Sequence, residues 1–460
     1  MRKRRDYSAR RDEKLPYIVF GKDSIRRRRF QTLNDQDQAI VIGGGIAGVS
    51  SALSLADSGC QVYVIEKKPS IGGHALRFGC KATDQCHSCG VCLARDKIIK
   101  AASCPNIHLL TQAEVVDLQE SGSGFVVTVR RKPQFIDVEK CTACSLCYQR
   151  CPKPDRAISR AYLSPIPSGY VINQSECLLF QEERGDCDLC RTICPAGAIS
   201  FDQQEELITL RASAVIVASG FSAYDARRKG HFGYGRLRQV ISGLDLEQRL
   251  LAGEAKSLVP QAAGDAPRIA FVQCVGSRDP HIGQDYCSRV CCKYAVRVAA
   301  KLKFQIPEAE ITIFFIDLQR TEREFLGLLE RMSGKIRLVK GLPVEIEPAV
   351  EGGDRVSMRY ENIDQGRMER ADFDLVVLSV GVAPSEENQS LAQILGLKLG
   401  SDGFFAPLDL TDSTITARPG IFLAGTCQGP KSLVESILHG QEAAMRALAL
   451  MRRREEVRHG

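Results

Sequence analysis

The chain has 460 residues, 25% charged and 44% hydrophobic, and its 62 Lys and Arg against 55 Asp and Glu give a net charge of +7. That length predicts two to three domains with full cores, and the composition is that of an ordinary soluble globular protein. No apolar run reaches the roughly 18 residues needed to span a bilayer, and the Arg-rich start lacks the apolar segment of a signal peptide, so a cytoplasmic protein is expected. In that compartment the 19 cysteines imply metal or redox chemistry before structural disulfides.

Residues 1–36 read as a basic tail, with Arg2, Lys3, Arg4, Arg5, Arg10, Arg11 and the run Arg26 to Arg29. A solvated or partner-wrapping segment is expected. No nucleic-acid motif follows it, so nucleic acid is not an expected partner.

Next comes an apolar strand, Gln38 to Ile42, running into Gly43-Gly-Gly45-Ile-Ala-Gly48, a helix to Ser58, and a second strand, Gln61 to Ile65, ending at Glu66. This is the unit that binds a dinucleotide. Its first glycine makes the tight turn, the second lets the backbone approach the pyrophosphate, the third lets helix pack on strand, and Glu66 takes the ribose hydroxyls. Lys67 follows that acid and is counted with the binding residues.

Cys80, Cys86, Cys89 and Cys92 form the first cysteine group, with Cys104-Pro105 beyond it. Three thiolates at C-x2-C-x2-C are a good cubane nucleus. The fourth ligand is Cys80 or Cys104, and Cys80 is favoured because it shares the glycine-rich loop. The strand Phe125 to Arg130, with alternating Val and Thr, then leads into an insertion over 138–202, and Leu207 to Leu210 resumes the sheet after it.

The insertion holds Cys141-x2-Cys144-x2-Cys147-x3-Cys151-Pro, then Cys177, and Cys187-x2-Cys190-x3-Cys194-Pro. In two-cluster ferredoxins the fourth cysteine of each run crosses to the other cluster. Cys141, Cys144, Cys147 and Cys194 are therefore assigned to one cubane, and Cys151, Cys177, Cys187 and Cys190 to the other. Zinc is the rival metal, and two interleaved runs closed by Cys-Pro favour iron.

A buried strand, Ala214 to Ala218, ends in Ser-Gly220. Another, Arg268 to Gln273, ends in Cys274-Val-Gly-Ser-Arg-Asp, which has no glycine triplet to cradle a second pyrophosphate. Cys274, Cys287, Cys291 and Cys292 make the last group of four, and spacing leaves a cluster and buried or redox-active thiols equally open. Gly420-Ile-Phe-Leu-Ala-Gly425-Thr426-Cys427 precedes a helix from Ser432 to Leu448 that carries His439, read as packed or exposed in preference to flavin-facing. Cys60 is expected in the core.

Gly72-Gly73 after Glu66 resembles the glycine pair of the two-dinucleotide-binding-domain flavoproteins, which include thioredoxin reductase. The segments ending at Gly220 and at Gly425-Thr426 fit that family as well, and FAD is the implied cofactor. The family usually has a second glycine triplet for NAD(P)H; its loss here suggests that electrons reach the flavin through a cluster.

A closer resemblance rests on Phe271-Val-Gln-Cys274-Val-Gly-Ser-Arg-Asp279, Tyr286-Cys-Ser-Arg-Val-Cys-Cys-Lys-Tyr294, Gly233-Tyr-Gly235 with Val240-Ile-Ser, and Gly425-Thr-Cys-Gln-Gly-Pro-Lys431. These segments are similar to the A-type component of heterodisulfide reductase, with relatives in quinone-interacting membrane-bound oxidoreductase and multi-subunit benzoyl-CoA reductase. The resemblance covers roughly residues 38 to 450. It implies an α/β thioredoxin-reductase-like flavoprotein with an inserted α+β two-cluster ferredoxin domain, FAD, three to four 4Fe–4S clusters, and a cluster at Cys274 to Cys292.

It also implies B- and C-type partner subunits, a hydrogenase or formate dehydrogenase subunit feeding electrons in, ferredoxin, and peripheral membrane association through partners. Where bifurcating members carry a lysine near the flavin, this chain has Arg297, a possible flavin-tuning residue; it keeps a cation but cannot give up a proton, which weighs against electron bifurcation.

Expected domains are the tail over 1–36, a discontinuous FAD-binding domain over 37–137, 203–267 and 346–450, the insertion over 138–202, a vestigial nicotinamide-type subdomain over 268–345, and a basic tail over 451–460. The competing readings are a structural assembly component and an NAD(P)H-dependent enzyme of the glutamate synthase small-subunit type. No nucleophile or general acid stands out.

Overall fold

The computed structural model describes residues 38–459 except 123, 154–156, 160–165, 168, 182–186, 260–265, 320–322 and 350–353. The basic tail expected over 1–36 lies outside the described residues.

In chain order, β1 (Gln38–Ile42), α1 (Ile46–Asp57) and β2 (Gln61–Glu66) are followed by α2 (Val91–Ser103) and β3 (Ile107–Thr111). The hairpin β4 (Ala113–Ser121) and β5 (Gly124–Arg131) leads to the insertion, which holds α3 (Leu146–Arg150), the short antiparallel pair β6 (Ile158–Ser159) and β7 (Val171–Ile172), and α4 (Leu189–Thr192). β8 (Glu206–Ala212) then returns antiparallel to β5, with Val127 opposite Leu210, so the insertion hangs from the end of a three-stranded sheet. The insertion has its own small core of Phe135, Ile136, Ile158, Tyr170, Ile172 and Ile199 packed among cysteines.

β9 (Ala214–Val217) enters the first main sheet, and β10 (Phe221–Ala223) leads out to the second lobe. That lobe runs β11 (Val240–Ser242), α5 (Gly243–Leu251), β12 (Arg268–Val275), α6 (Cys291–Gln305), β13 (Glu310–Phe315), α7 (Arg323–Met332) and β14 (Ile336–Lys340). An antiparallel excursion, β15 (Pro343–Pro348), β16 (Val356–Asn362) and β17 (Arg367–Phe373), precedes β18 (Leu375–Val380) and β19 (Val382–Pro384). The chain returns through α8 (Asn388–Leu395) and β20 (Ile421–Leu423) to α9 (Leu433–His459).

Two parallel five-stranded sheets result, ordered β20-β9-β1-β2-β3 and β11-β18-β12-β13-β14. The inner strands are continuous apolar runs because both faces of each sheet are covered, one by helices and the other mainly by a three-stranded antiparallel sheet, β4-β5-β8 in the first lobe and β15-β16-β17 in the second; β1 and β9 have no exposed residue. Each sheet has the order of a dinucleotide-binding domain, so the chain has the α/β thioredoxin-reductase-like flavoprotein plan.

The second lobe is wider than residues 268–345. Its sheet takes β11 from upstream and β18 from downstream, so residues 240–242 and 343–380 belong with it and not with the first domain. A central strand such as β12 needs partners on both edges, and β18 supplies one across more than a hundred residues of sequence. The C-terminal end also differs from a solvated tail. α9 continues to His459, Met451 is buried, and Arg454 Nη1 donates to Ser213 O at 2.7 Å. No helix among the described residues is long and apolar enough to cross a membrane.

Candidate functional site

The glycine loop is built as its spacing requires. Gly43 leaves β1 with φ +110°, its N–H donating to Ile65 O at 2.8 Å, and a Cβ there would stand 2.2 Å from Ala218 O. A Cβ on Gly48 would stand 1.9 Å from Gly43 O, so the third glycine lets α1 press onto the loop. Gly45 faces open space at the start of α1 and has no side-chain cap, leaving helix N–H groups available to an anion.

Glu66 sits buried at the end of β2. Its Oε2 accepts from Gly44 N and its Oε1 from Lys68 N, both at 2.8 Å, and burial still raises its carboxyl above the ordinary value. Each oxygen keeps a second lone pair for a ribose hydroxyl. Gly72 N donates to Gly44 O at 2.7 Å, and a Cβ on Gly73 would lie 3.2 Å from Gly45 Cα. The glycine pair therefore lies directly on the glycine loop. Gly220, at φ +78°, opens onto free space, and Thr426 is buried beside the Gly425 turn.

Buried polar atoms test whether a dinucleotide fits this cradle. Ser70 Oγ and His74 Nδ1 are buried without a partner, beside Glu66 and the glycine pair. Such groups need a partner to be stable, and a bound nucleotide would supply one. His74 stacks on Phe221 with ring centroids 4.3 Å apart, and its Nε2 donates to Phe221 O at 3.1 Å. Nδ1 is then a bare acceptor, and burial with nearby Lys68 and Arg77 lowers the pKa to about 4. Sequence reasoning missed His74; its only signal was its place after Gly72-Gly73. Lys67, expected with the binding residues, pairs with Glu387 at 2.8 Å on the surface.

His439 is packed and positions the second turn. Its Nδ1 accepts from Gly425 N at 2.9 Å, so the proton sits on Nε2, 3.0 Å from Ser413 Oγ. Burial, with Lys431 nearby, lowers its pKa to about 4. The neutral form is thus favoured by folding: this stability is present above pH about 6.5 and is lost as pH falls towards 4. His439→Ala should weaken flavin retention about tenfold, the worth of one buried hydrogen bond, and flatten the loss of flavin between pH 6.5 and 4. Flavin fluorescence on release measures both.

In the insertion, Cys141, Cys144, Cys147 and Cys194 line one cavity with Ile136, Tyr170 and Ile199. Burial, reinforced by Cys141, Cys144 and Cys194, pushes Cys147 up to about 11. The other four also face one another: burial and then Cys177, with Cys147 and Cys151, push Cys190 up to about 12, while Cys177 is raised by burial, Cys187 and Cys151. The crossed pairing of the two runs is therefore present in space.

Near the C-terminal end of β12, the central strand of the second sheet, stands Cys274, at φ +58°, and α6 starts at Cys291. Burial, then Cys292 and Cys287, push Cys274 up to about 12, and a hydrogen bond to Cys292 together with burial holds Cys291 well above the ordinary thiol range. The four sulfurs are thus brought together in the loop where a second dinucleotide would bind. Tyr224 closes the rest of that loop, since a Cβ on Gly276 would stand 2.0 Å from its ring. Arg289 ties the loop to α9, donating to Glu435 at 2.8 Å and to Pro430 O at 3.3 Å.

The Cys86–Cys92 loop copies the backbone of the ferredoxin run. Residues two and four beyond the first cysteine are left-handed in both: Ala143 (φ +55°) and Ser145 (+66°), then Ser88 (+50°) and Gly90 (+78°). A helix starts one residue before the third cysteine in each, at Leu146 and at Val91. Left-handed Ala and Ser cost about 1 kcal/mol or more each and persist only where function or packing holds them. Ser88 N and Ala82 N donate to Cys86 Sγ at 3.4 Å and Cys80 Sγ at 3.5 Å.

Cys104 is ruled out as fourth ligand by α2 itself. It caps the helix end, and twelve residues at about 1.5 Å each put it about 18 Å from Cys92. It packs instead against the core, as buried Cys60 and Cys427 do within it.

Arg297, expected as a flavin-tuning residue, reaches the Cys86 loop. Its guanidinium donates to His87 O at 2.9 Å and Ser88 O at 3.2 Å, and Lys301, one turn on, donates to Ala82 O at 2.9 Å. One face of α6 thereby holds the Cys80 and Cys86 arms side by side. Beneath them Lys81 and Glu247 form a fully buried ion pair, with Gly79 N donating to Glu247 Oε2 at 3.0 Å. Lys81→Met should cost about 3–5 kcal/mol by stranding the carboxylate, and Glu247→Gln in the same chain should recover part of it; denaturant unfolding reads both.

No three His, Cys, Asp or Glu side chains among the described residues stand close enough to share a single ion. Thiolates of a cubane sit wider than the ligands of one ion, because each reaches its own iron. The donor sets, all thiol and in fours, fit cubanes.

A family model described as an NAD(P)-binding Rossmann-like domain matches residues 41–89. The chain is 35% identical over 435 residues to the A-type component of the H(2):CoB-CoM heterodisulfide,ferredoxin reductase of Methanothermobacter marburgensis, covering 89% of this chain and 63% of that protein. It is 33% identical over 422 residues to the A-type iron-sulfur component of the CoB–CoM heterodisulfide reductase of Methanocaldococcus jannaschii, covering 88% and 63%. The chain thus spans a little under two thirds of the length of these relatives. Among solved structures it is similar to a T. acidophilum thioredoxin reductase, with a TM-score of 0.49 and 15% identity over 90% of this chain and 98% of that one.

Proposed function

The chain belongs to the family of A-type heterodisulfide reductase components over the part that these relatives share, and from that premise we propose that it is an FAD- and iron–sulfur-containing electron-transfer oxidoreductase subunit. It passes electrons between ferredoxin-type clusters, the flavin and partner subunits of a heterodisulfide reductase-like complex. The observation that carries this reading is the convergence of Cys274, Cys287, Cys291 and Cys292 in the loop that would otherwise cradle a second dinucleotide.

Bound FAD exchanges electrons in pairs or singly and each cubane exchanges one, which is the chemistry this chain needs. Its own residues hold and tune those groups. The Gly43–Gly48 loop and the start of α1 take the pyrophosphate, Glu66 takes the ribose, and neutral His439 fixes the Gly425 turn. Arg289 locks the Cys287–Cys291 loop to the start of α9, so the last cysteine group cannot drift from the flavin domain. Thiols raised by burial to about 11 and 12 are protonated without metal, so loading must release protons and is favoured by higher pH. Four groups of four cysteines support four clusters, with Cys80, Cys86, Cys89 and Cys92 as the fourth set. The proposed partners are ferredoxin, B- and C-type subunits, and a hydrogenase or formate dehydrogenase input subunit.

Anaerobic reduction tests the proposal. NAD(P)H should leave the flavin absorbance of the loaded chain unchanged, and a reduced low-potential ferredoxin should bleach it. Stoichiometric bleaching by NAD(P)H would instead support an enzyme of the glutamate synthase small-subunit type. A flavin that neither ferredoxin nor dithionite bleaches would support a structural subunit.

A further inference from the structure

The cysteines of the Cys80–Cys92 loop lie at the surface. Cys80, Cys86 and Cys92 are exposed, whereas Cys274, Cys291 and Cys292 are buried. Beside Cys92 the surface is apolar: Leu93 is 53% exposed, and Val434 and Leu438, one turn apart on α9, are 41% and 60% exposed. The two helices touch here, since a Cβ on Gly90 would stand 3.0 Å from Val434. Cations line the loop that adjoins this patch. Arg297 and Lys301 lie along the loop, Arg331 acts on His87, Lys335 acts on Asp84, and Arg95 stands on the Cys92 face of α2. The exposed acids on the loop and α2 are Asp84 and Asp96; on α9, Glu435 between Val434 and Leu438 is paired with Arg289, and exposed Glu442 lies one turn beyond Leu438.

An apolar centre with a charged rim is the anatomy of a protein interface, and the rim's sign selects the partner and speeds its approach. We propose that this face docks a small acidic protein carrying a single-electron centre. The inference rests on reading the Cys80–Cys92 loop as a cluster site, and it deepens that reading by giving the cluster its exchange partner. The insertion offers a contrast, because Cys147, Cys177 and Cys190 are buried there.

The test is binding of an acidic two-cubane ferredoxin to the full chain loaded with FAD and clusters, followed by calorimetry. Raising salt from about 20 to about 300 mM should weaken binding about tenfold or more, because rim charges are screened beyond a few ångströms. The double variant Arg95→Glu with Arg331→Glu should weaken it about tenfold at low salt while iron content and flavin stay unchanged. Iron analysis separates the two levels of inference: about twelve atoms per chain instead of about sixteen would remove the cluster and the proposal with it. With about sixteen, a Kd that neither salt nor the double variant moves overturns the docking alone. Self-association of the chain that Leu93→Glu abolishes, without ferredoxin binding, would assign the face to a second copy and overturn it too.

Discussion

Gly48→Val is expected to yield a chain without flavin. A Cβ at this position falls 1.9 Å from Gly43 O, a contact with rigid backbone that no rotamer relieves. α1 must lift from the loop, and overpacking of this kind costs about 1–3 kcal/mol before any ligand is considered. The lift also moves the start of α1, the part that must face the pyrophosphate. Flavin per chain should fall at least about tenfold, a loss of about 1.4 kcal/mol or more in binding. The ferredoxin insertion has its own core and should keep its iron. Gly230→Ala is the control, since Gly230 faces open space and needs no left-handed backbone. A Gly48→Val chain with full flavin would show that the loop does not bind as described.

Cys292→Ala is expected to separate the flavin from the rest of the electron path. Cys292 is buried at the start of α6, with its Sγ 3.7 Å from Asp317 O, and it packs into the second lobe's core. Alanine leaves a small apolar cavity, so the fold should survive at a cost of about 1–2 kcal/mol. The cluster at this position should be lost, taking about four iron atoms per chain with it. Flavin should remain bound, and its bleaching by reduced ferredoxin should slow by about 100-fold, the upper end of what losing even an outer-shell metal partner costs. A variant that keeps its iron and its rate would remove Cys292 from the path.

The sequence made some of this site readable and hid the rest for definite reasons. Cysteine runs closed by Cys-Pro are local, and so is a glycine triplet between two strands; both specify geometry within a few residues. What depended on distant contacts was hidden. β18 joins β12 from more than a hundred residues away, which is why local patterns end the second lobe at residue 345. The choice between Cys80 and Cys104 turned on whether the intervening residues coil or extend, and α2 answered it.

Charged side chains misled most. Lys67 beside the ribose acid and Arg297 beside the Cys-Cys pair both lie next to functional residues in sequence, yet their long side chains reach Glu387 and the Cys86 loop. The Arg-rich end read as a basic tail because charge hides the buried face of Met451. The left-handed turn at Ser88, the strongest sign that the Cys80–Cys92 loop copies a ferredoxin run, carries no sequence signal at all, because serine is not a residue that demands it.

Metal analysis of the anaerobically purified 460-residue chain tests the central claim most directly. Four thiolate groups of four predict about sixteen iron atoms with matching acid-labile sulfide per chain, beside one flavin and negligible zinc. Zinc in place of iron, or iron near eight atoms per chain with the flavin still bound, would contradict it.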